Sequence, residues 1–431
     1  MSSEWKSYQL SDLTKLKYGK FLAKSQLDES GFPVFSGYGI VGYLPTFQFE
    51  EPQLLIVCRG EGGTGDVKMS PPKCSITNLS IVFSPNEQIV SKRFLYWALK
   101  AGDTHRLRTG SAQAQIVIGS LERFGVAIPA DKSEQDEIAY TLDALDTRIT
   151  LLHETNATLE AIAQALFKSW FVDFDPVRAK AEGRQPDAAQ GSASVAAGRM
   201  PEATGMGAAT AVLFPDTFED SELGPIPKGW GVGVLADLAN LNPESWTAKN
   251  HPDVVSYVDL ANAKDNLIAE ISEYVFDEAP SRARRVLKSG DSIIGTVRPG
   301  NRSFAFIHFA EENLTGSTGF AVLRPRKEEH TEFVYLAATA DSSIEYLTHV
   351  ADGGAYPAVR PEVVSGLQCV LPSSSVLNAF HGLAAPIFVK VGENNMQAQT
   401  LSQLRDTLLP RLISGQLRLP EAQEHLEDAL A

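Results

Sequence analysis

The sequence predicts an α+β protein with two similar domains, each followed by a long helix, the two helices pairing as an antiparallel coiled-coil spacer. Three observations support this prediction. The 431-residue chain repeats one plan of short motifs, a stretch of about 37 residues lacks both Gly and Pro and keeps a heptad of apolar positions, and a low-complexity segment separates the copies. A chain of this length exceeds one ordinary core and suffices for two to four.

The repeat comes first because it organises everything else. Trp5 and Leu10-Ser11-Asp12-Leu13 recur as Trp230 and Leu235-Ala236-Asp237-Leu238, at an offset of 225. A β-like run ending at Cys58-Arg59-Gly60 matches Thr296-Val297-Arg298-Pro299, at an offset of 239. Gly110-Ser111-Ala112 matches Gly353-Gly354-Ala355 at 243, and the copies close on Ile128-Pro129 and Leu371-Pro372. The offset grows only between blocks, as surface-loop insertions would make it do. Between turn residues, Gln53 to Cys58 and Ile76 to Phe83, like Asp291 to Val297 and Gly319 to Leu323, are rich in Ile, Val, Leu and Thr and read as strands.

Each copy ends in a helix. Ile138, Leu142, Leu145, Ile149, Leu152, Leu159, Ile162 (or Ala163) and Leu166 alternate at three and four residues, with Asn156 at the one polar seam position, where Asn commonly fixes register. Ser133, followed by Glu134 and Asp136, is the expected N-terminal cap. A rod of roughly 55 Å follows from the helical rise. Val376, Phe380, Leu383, Ile387, Leu401, Leu404, Leu408 and Leu412 make a second seam, and Gly382 with Pro386 predicts a kink or restart in its first turns. Pro186 to Ala211 is mostly Ala, Gly, Ser, Pro and Thr and reads as a flexible linker. The expected organisation is a first domain at 1–132, a helical region at 133–175, a linker at 176–222, a second domain at 223–372, a helical region at 373–419 and a tail at 420–431.

Composition limits the function. Net charge is −15, yet residues 1–132 hold 15 Lys and Arg against 12 Asp and Glu, while residues 133–175 hold 2 against 9. Nucleic-acid binding then requires partner chains to neutralise much of the phosphate charge. Cys58, Cys74 and Cys369 have no zinc-finger or disulfide-framework spacing, and the eight histidines do not pair at metal-binding intervals. No apolar run approaches the roughly 18–20 residues of a membrane span, and the N-terminus lacks a secretory pattern, so a reduced, cytoplasmic protein is expected. Gly60-Glu61-Gly62-Gly63-Thr64-Gly65 fits the dinucleotide fingerprint in letters, but Pro71 and Pro72 follow closely and no helical periodicity does.

What remains is a set of polar loops on strands. The candidate DNA-binding residues are Arg59, Lys68, Thr77, Asn78, Arg106, Arg108, Ser111 and Gln113 in the first copy. In the second they are Arg298, Asn301, Arg302, Thr315, Ser317, Thr318, Tyr356 and Arg360. Arg, Asn and Gln pair with base edges, and Ser, Thr and backbone N–H groups bind phosphate. Solvated loops have the same composition; the recurrence of this chemistry in both copies favours nucleic acid.

Three segments carry a family resemblance: Phe167-Lys168-Ser169-Trp170-Phe171-Val172-Asp173-Phe174-Asp175-Pro176, Leu223-Gly224-Pro225-Ile226-Pro227-Lys228-Gly229-Trp230, and Leu408-Leu409-Pro410-Arg411-Leu412-Ile413-Ser414-Gly415-Gln416-Leu417. With the half-repeat they cover nearly the whole chain, which resembles the specificity subunits of type I restriction–modification enzymes. Ser373-Ser374-Ser375, standing where the first copy has Ser133-Glu134-Gln135, departs from the pattern. The resemblance implies two target-recognition domains that each read half of a split, asymmetric site in double-stranded DNA, with helix length setting the unread spacer. It implies no catalytic centre and no cofactor on this chain, and no membrane. Two methyltransferase subunits using S-adenosylmethionine, and restriction subunits driven by ATP and Mg, would be the partners. The rival expectation is a protein-binding scaffold whose repeated domains grip another protein.

Overall fold

The computed structural model describes residues 4–60, 62–110, 114–183 and 208–422; most of the expected linker, with Ser111 and Gln113, lies outside them. The chain divides into two compact units, one formed by residues 1–152 with 396–431 and the other by 153–395.

In the first unit a four-stranded sheet has the order Thr14–Tyr18, Ser80–Pro85, Leu54–Val57, Val67–Met69. Strand alternation sorts its side chains into two cores. Leu54, Ile56, Ile81 and Phe83 face helix Lys92–Ala101 and bury with Phe94 and Trp97, whereas Leu55 and Val82 face Cys74 and Ile76. The strip Trp5–Gln9 pairs with Gly125–Pro129, and Phe32–Phe35 lies between Ile40–Leu44 and Ser75–Ile76.

The second unit repeats the plan. Its sheet has the order Ala239–Leu241, Phe320–Pro325, Ser292–Gly295, Phe304–Phe306, and Gly231–Val234 pairs with Gln368–Leu371. Ile294, Ala321 and Leu323 face one core and Ile293, Phe320 and Val322 the other. The ladders correct one sequence match. Ile116 N donates to Cys58 O at 2.8 Å, and Val359 N donates to Thr296 O at 2.9 Å. Cys58 therefore corresponds to Thr296, Arg59 to Val297 and Gly60 to Arg298, an offset of 238 rather than 239. Gly60 (φ +124°) and Arg298 (φ 48°) share a positive φ at the bend, which letter matching does not reveal.

Both long helices form, over Lys132–Phe171 and Ser374–Ile413. The first is opened by Asp131, whose Oδ1 accepts from Ser133 N at 2.9 Å, so the cap lies two residues before the expected Ser133. Gln135, fully buried, accepts from Ser91 N at 2.8 Å and donates to Pro129 O at 2.8 Å, tying the helix start to the first unit. There Ile138 and Leu142 bury with Leu408 and Leu412, and Leu145, Ile149 and Leu152 with Ala398 and Leu401. Arg405 Nη1 donates to Asp146 Oδ1 at 2.6 Å. Leu404 is half-buried at the edge of the same core.

In the second unit the buried line runs through Asn156, Ala163, Phe167 and Trp170, leaving Leu159 and Leu166 half-buried and Ile162 exposed. A straight helix of 3.6 residues per turn drifts away from a strict 3.5 repeat, which moves the line one residue on. On the second helix Leu383 is likewise exposed and Ala384 buried. Neither Gly382 nor Pro386 interrupts that helix. The carbonyl that a proline ring at 386 crowds belongs to residue 382, and glycine gives that peptide room to tilt. Contrary to the sequence expectation, Ser374–Ile413 is long and apolar enough to cross a membrane by length and composition. Its Val376, Phe380, Ala384 and Phe388 are instead buried in the second unit's core.

That core is aromatic. Phe171 lies 5.9 Å from Trp230, 4.9 Å from Phe333 and 5.0 Å from Phe380, and Trp170 lies 4.9 Å from Phe214. Asn156 is buried and satisfied: its Nδ2 donates to Asn395 Oδ1 at 2.8 Å and Val391 O at 3.2 Å, and its Oδ1 accepts from Asn394 Nδ2 at 2.8 Å. Asn156→Leu strands buried amides on the facing helix and should cost about 1–3 kcal/mol, read from the denaturation midpoint.

His308 sits among Phe306 and Phe388 and against Gly392, and burial pushes its imidazole down from 6.5 to about 4. A histidine with a depressed folded pKa adds stability that is complete above its unfolded value and is lost as pH falls from about 6.5 toward 4. In His308→Leu, urea midpoints measured across that window should fall less with acid than in the parent.

Candidate nucleic-acid interface

Each copy carries the same loop clamp beyond the ends of its central strands. In the first, Thr109 and Gln115 exchange backbone hydrogen bonds at 2.8 and 2.9 Å, and Gln115 bridges to Arg59. In the second, Asp352 and Ala358 exchange them at 3.1 and 2.8 Å, and Ala358 bridges to Val297. In each copy the base of a short loop is thus pinned beside the bend that follows the central strand.

In the first unit the glycine-rich segment is the bend itself. Val57 N donates to Asp66 O at 2.9 Å and Gly65 N to Val57 O at 2.8 Å, so the chain turns straight into an antiparallel strand and opens no helix. Buried Thr64 donates to Gly60 O at 2.9 Å. Thr64 O is met by Arg108 Nε at 2.5 Å and His105 Nδ1 at 3.1 Å. The guanidinium of Arg59 lies 5.6 Å from the Tyr18 ring, and Tyr38 Oη donates to Arg59 O at 3.3 Å. Lys68 pairs with Asp66 at 3.8 Å. Arg59, Arg108 and Lys68 thus gather around one loop. Arg106 does not join them, because its guanidinium lies 5.2 Å over Phe124. Asn78 N donates to Lys20 O at 2.9 Å, and Thr77 is buried in the turn before it.

In the second unit Arg298 is exposed, with its guanidinium 4.5 Å from the ring of Tyr356 and its Nη2 donating to Ala355 O at 2.8 Å. Tyr356 is 70% exposed, unusual for a tyrosine that is not at a contact surface. Thr318 and Arg360 are exposed beside them: Thr296 N donates to Gly319 O at 2.9 Å, and Val359 N to Thr296 O. Asn301 is exposed on the turn Pro299–Asn301.

Three candidates belong to the fabric instead. Thr315 is fully buried, accepts from Trp246 Nε1 at 2.8 Å and donates to Asn313 O at 2.8 Å. Ser317 is fully buried and accepts from Gly319 N at 3.2 Å. Arg302 is bound by Asp265 at 2.6 Å and Asp341 at 2.8 Å. Hydroxyls that alternate inward on a central strand are taken up by the backbone, and sequence composition cannot distinguish them from exposed ones.

Sequence reasoning missed Tyr38, Thr64 and His105 in the first unit and Tyr257, Asp259 and Arg282 in the second. The run Ser281-Arg282-Ala283-Arg284-Arg285 was the available signal, a basic patch in an acidic chain. Among the described residues no three His, Cys, Asp or Glu side chains are grouped to hold a metal ion. Burial holds the Cys369 thiol up at about 12 and raises that of Cys58.

Exposed and committed residues should respond oppositely to substitution. Arg298→Ala should leave the melting temperature within about 0.5 kcal/mol equivalent of the parent. Thr315→Val removes the acceptor of a half-buried indole N–H and should destabilise by about 1–3 kcal/mol in the same measurement.

Comparison with known proteins agrees with this arrangement. Residues 2–161 match the family described as type I restriction modification DNA specificity domain. The type I restriction enzyme HindI specificity subunit of Haemophilus influenzae is 29% identical over 78% of this chain and 80% of its own length. The MjaIX specificity subunit of Methanocaldococcus jannaschii is 23% identical over 78% of this chain and 71% of its own. The crystal structure of the type I restriction–modification S subunit from M. genitalium aligns over 95% of this chain and 96% of that one, with a TM-score of 0.59 at 16% identity, which shows a shared fold. Residues 2–161 thus carry the DNA specificity domain of this family, and most of the chain is similar to type I restriction–modification specificity subunits.

Proposed function

We propose that this chain recognises a bipartite, asymmetric site in double-stranded DNA, each repeated domain reading one half-site through its clamped loop. As a specificity subunit it is non-catalytic. The observation that carries the proposal is the clamp itself: two sequence-divergent loops are pinned by matching backbone bonds, and beside each bend an arginine lies against a tyrosine ring, Arg59 against Tyr18 and Arg298 against Tyr356. Arginine supplies a planar fork of donors matched to guanine O6 and N7, and exposed hydroxyls with backbone N–H groups suit phosphate.

The two long helices would pair as an antiparallel coiled-coil spacer, so that their length measures the unread bases between the half-sites. Net charge argues that this chain does not hold DNA alone. Two methyltransferase subunits and the restriction subunits would complete the duplex-binding surface, and S-adenosylmethionine, ATP and Mg would bind there rather than here. The expected setting is the cytoplasm, away from any membrane. The domain boundaries at 132, 175, 222, 372 and 419 are proposed as the joints of this plan.

A protein-binding scaffold is the rival, and retention separates the two. The chain assembled with its methyltransferase subunits should hold one duplex sequence against scrambled competitor at physiological salt, and equal retention would favour the scaffold. Replacing residues 1–132 by the corresponding domain of a relative should change one half-site only. One heptad added to each long helix should lengthen the spacer and leave both half-sites unaltered, as methylation mapping would reveal.

A further inference from the structure

The second copy contains a segment with no counterpart in the first. Four residues separate Leu44 from Phe49, whereas twelve separate the equivalent Tyr274 from Leu287. Phe49 makes an isolated bridge to Cys74, after Pro45, which has no N–H to extend a ladder. The second copy instead builds the strand Ala283–Val286, bulged between Ala283 and Arg285, along the edge of its small sheet. Bulges on edge strands re-aim side chains and cluster beside binding sites.

Arg282 enters this strand. Its carbonyl accepts from Thr318 N at 2.8 Å, which places it on the ridge that continues through Gly319 and Thr296 toward Arg298 and Tyr356. Its side chain is 62% exposed, with Nη2 at 3.7 Å from Asp259 Oδ2. Asp259 is itself fixed: Oδ2 accepts from buried Tyr257 Oη at 2.7 Å, and Oδ1 accepts from Ala261 N at 3.0 Å. These bonds hold its carboxyl below the usual carboxylate range. The equivalent positions in the first copy are Val34 and Ser36, which cannot form such a pair. The triad therefore belongs to the second domain alone and is not part of the plan the two copies share.

An arginine held by one carboxylate has its charge largely cancelled, and a phosphate brought to it would meet Asp259 as well. It gains little from the DNA backbone. Its guanidinium stays largely exposed beside Asp259, and two of its parallel N–H donors match the O6 and N7 acceptors of guanine. We propose that Arg282, positioned by Asp259 and Tyr257, reads a guanine in the half-site of the second domain. The proposal rests on the DNA-reading function above and adds to it the residue, the base and the domain.

The test uses the full chain assembled with its methyltransferase subunits and a pool of randomised duplexes, sequencing those retained. Arg282→Lys keeps charge and stem but loses the fork. It should reduce preference for guanine about tenfold or more at one position of one half-site, leaving every other position as it was. Asp259→Asn should relax the same position to a lesser degree; a merely structural Asp259 would weaken all positions alike. An unchanged motif in Arg282→Lys, or equal loss on all duplexes with a shallower salt dependence, would overturn the assignment, the latter indicating a phosphate contact. If the parent complex itself retained all sequences equally, the DNA-reading function would fall, and that result is visible before any variant is compared.

Discussion

Both cores are closed by a segment that arrives from far along the chain, and the rest of the structure depends on that closure. In the first unit Leu408, Leu409, Leu412, Ile413, Leu417 and Ala422 bury against a core whose other members lie between Leu10 and Leu142. In the second, Phe167, Trp170 and Phe171 meet Trp230, Phe333 and Phe380. Each repeat alone leaves part of its larger core without a cover, and apolar surface left open in this way must be buried against another element. The chain must therefore return on itself before either unit is complete.

This constraint explains the segments that carry the family likeness. Their buried members, among them Phe167, Trp170, Phe171, Trp230, Leu408 and Leu412, are packing residues. Trp5 opens the first strand of its copy and Trp230 stands directly before the matching strand Gly231–Val234, and each receives the end of a long helix. Gly415, at φ +73°, lies so close to the Trp5 indole that an added Cβ would fall 2.6 Å from its Nε1. Phe171 and Phe174 each lie 5.9 Å from Trp230. A left-handed residue turns the chain just past each helix: Gly415 after Ile413, and Phe174 three residues after Phe171, at the cap of the short helix Asp175–Ala181. Loops outside these joints can vary without disturbing them.

The duplication is stricter in backbone than in side chains. The strand order, the register of the central pair and the clamp agree between copies, while the offset climbs from 225 to 243 through insertions outside the ladders. A ladder register cannot slip by one residue without turning a whole apolar face outward, so insertions survive only between strands. That is where Arg282 and the pair Asp265 and Asn266 occur, and there the domains acquire different chemistry.

The sequence by itself determined the two-copy plan, the helical character of 133–171 and the polar role of Asn156, because hydrophobic period and the absence of Gly and Pro are local properties. It also placed the polar loops, since turn residues and basic side chains stand out against strand-like runs. Which hydroxyl or guanidinium remains free was decided by tertiary structure alone. Thr315 and Thr318 lie three residues apart, one fully buried under Trp246 and the other exposed. Arg302 and Arg298 divide in the same way, between two carboxylates and an open tyrosine face. The difference lies in partners supplied by residues about 40 to 70 positions away in the chain, and no local pattern records those.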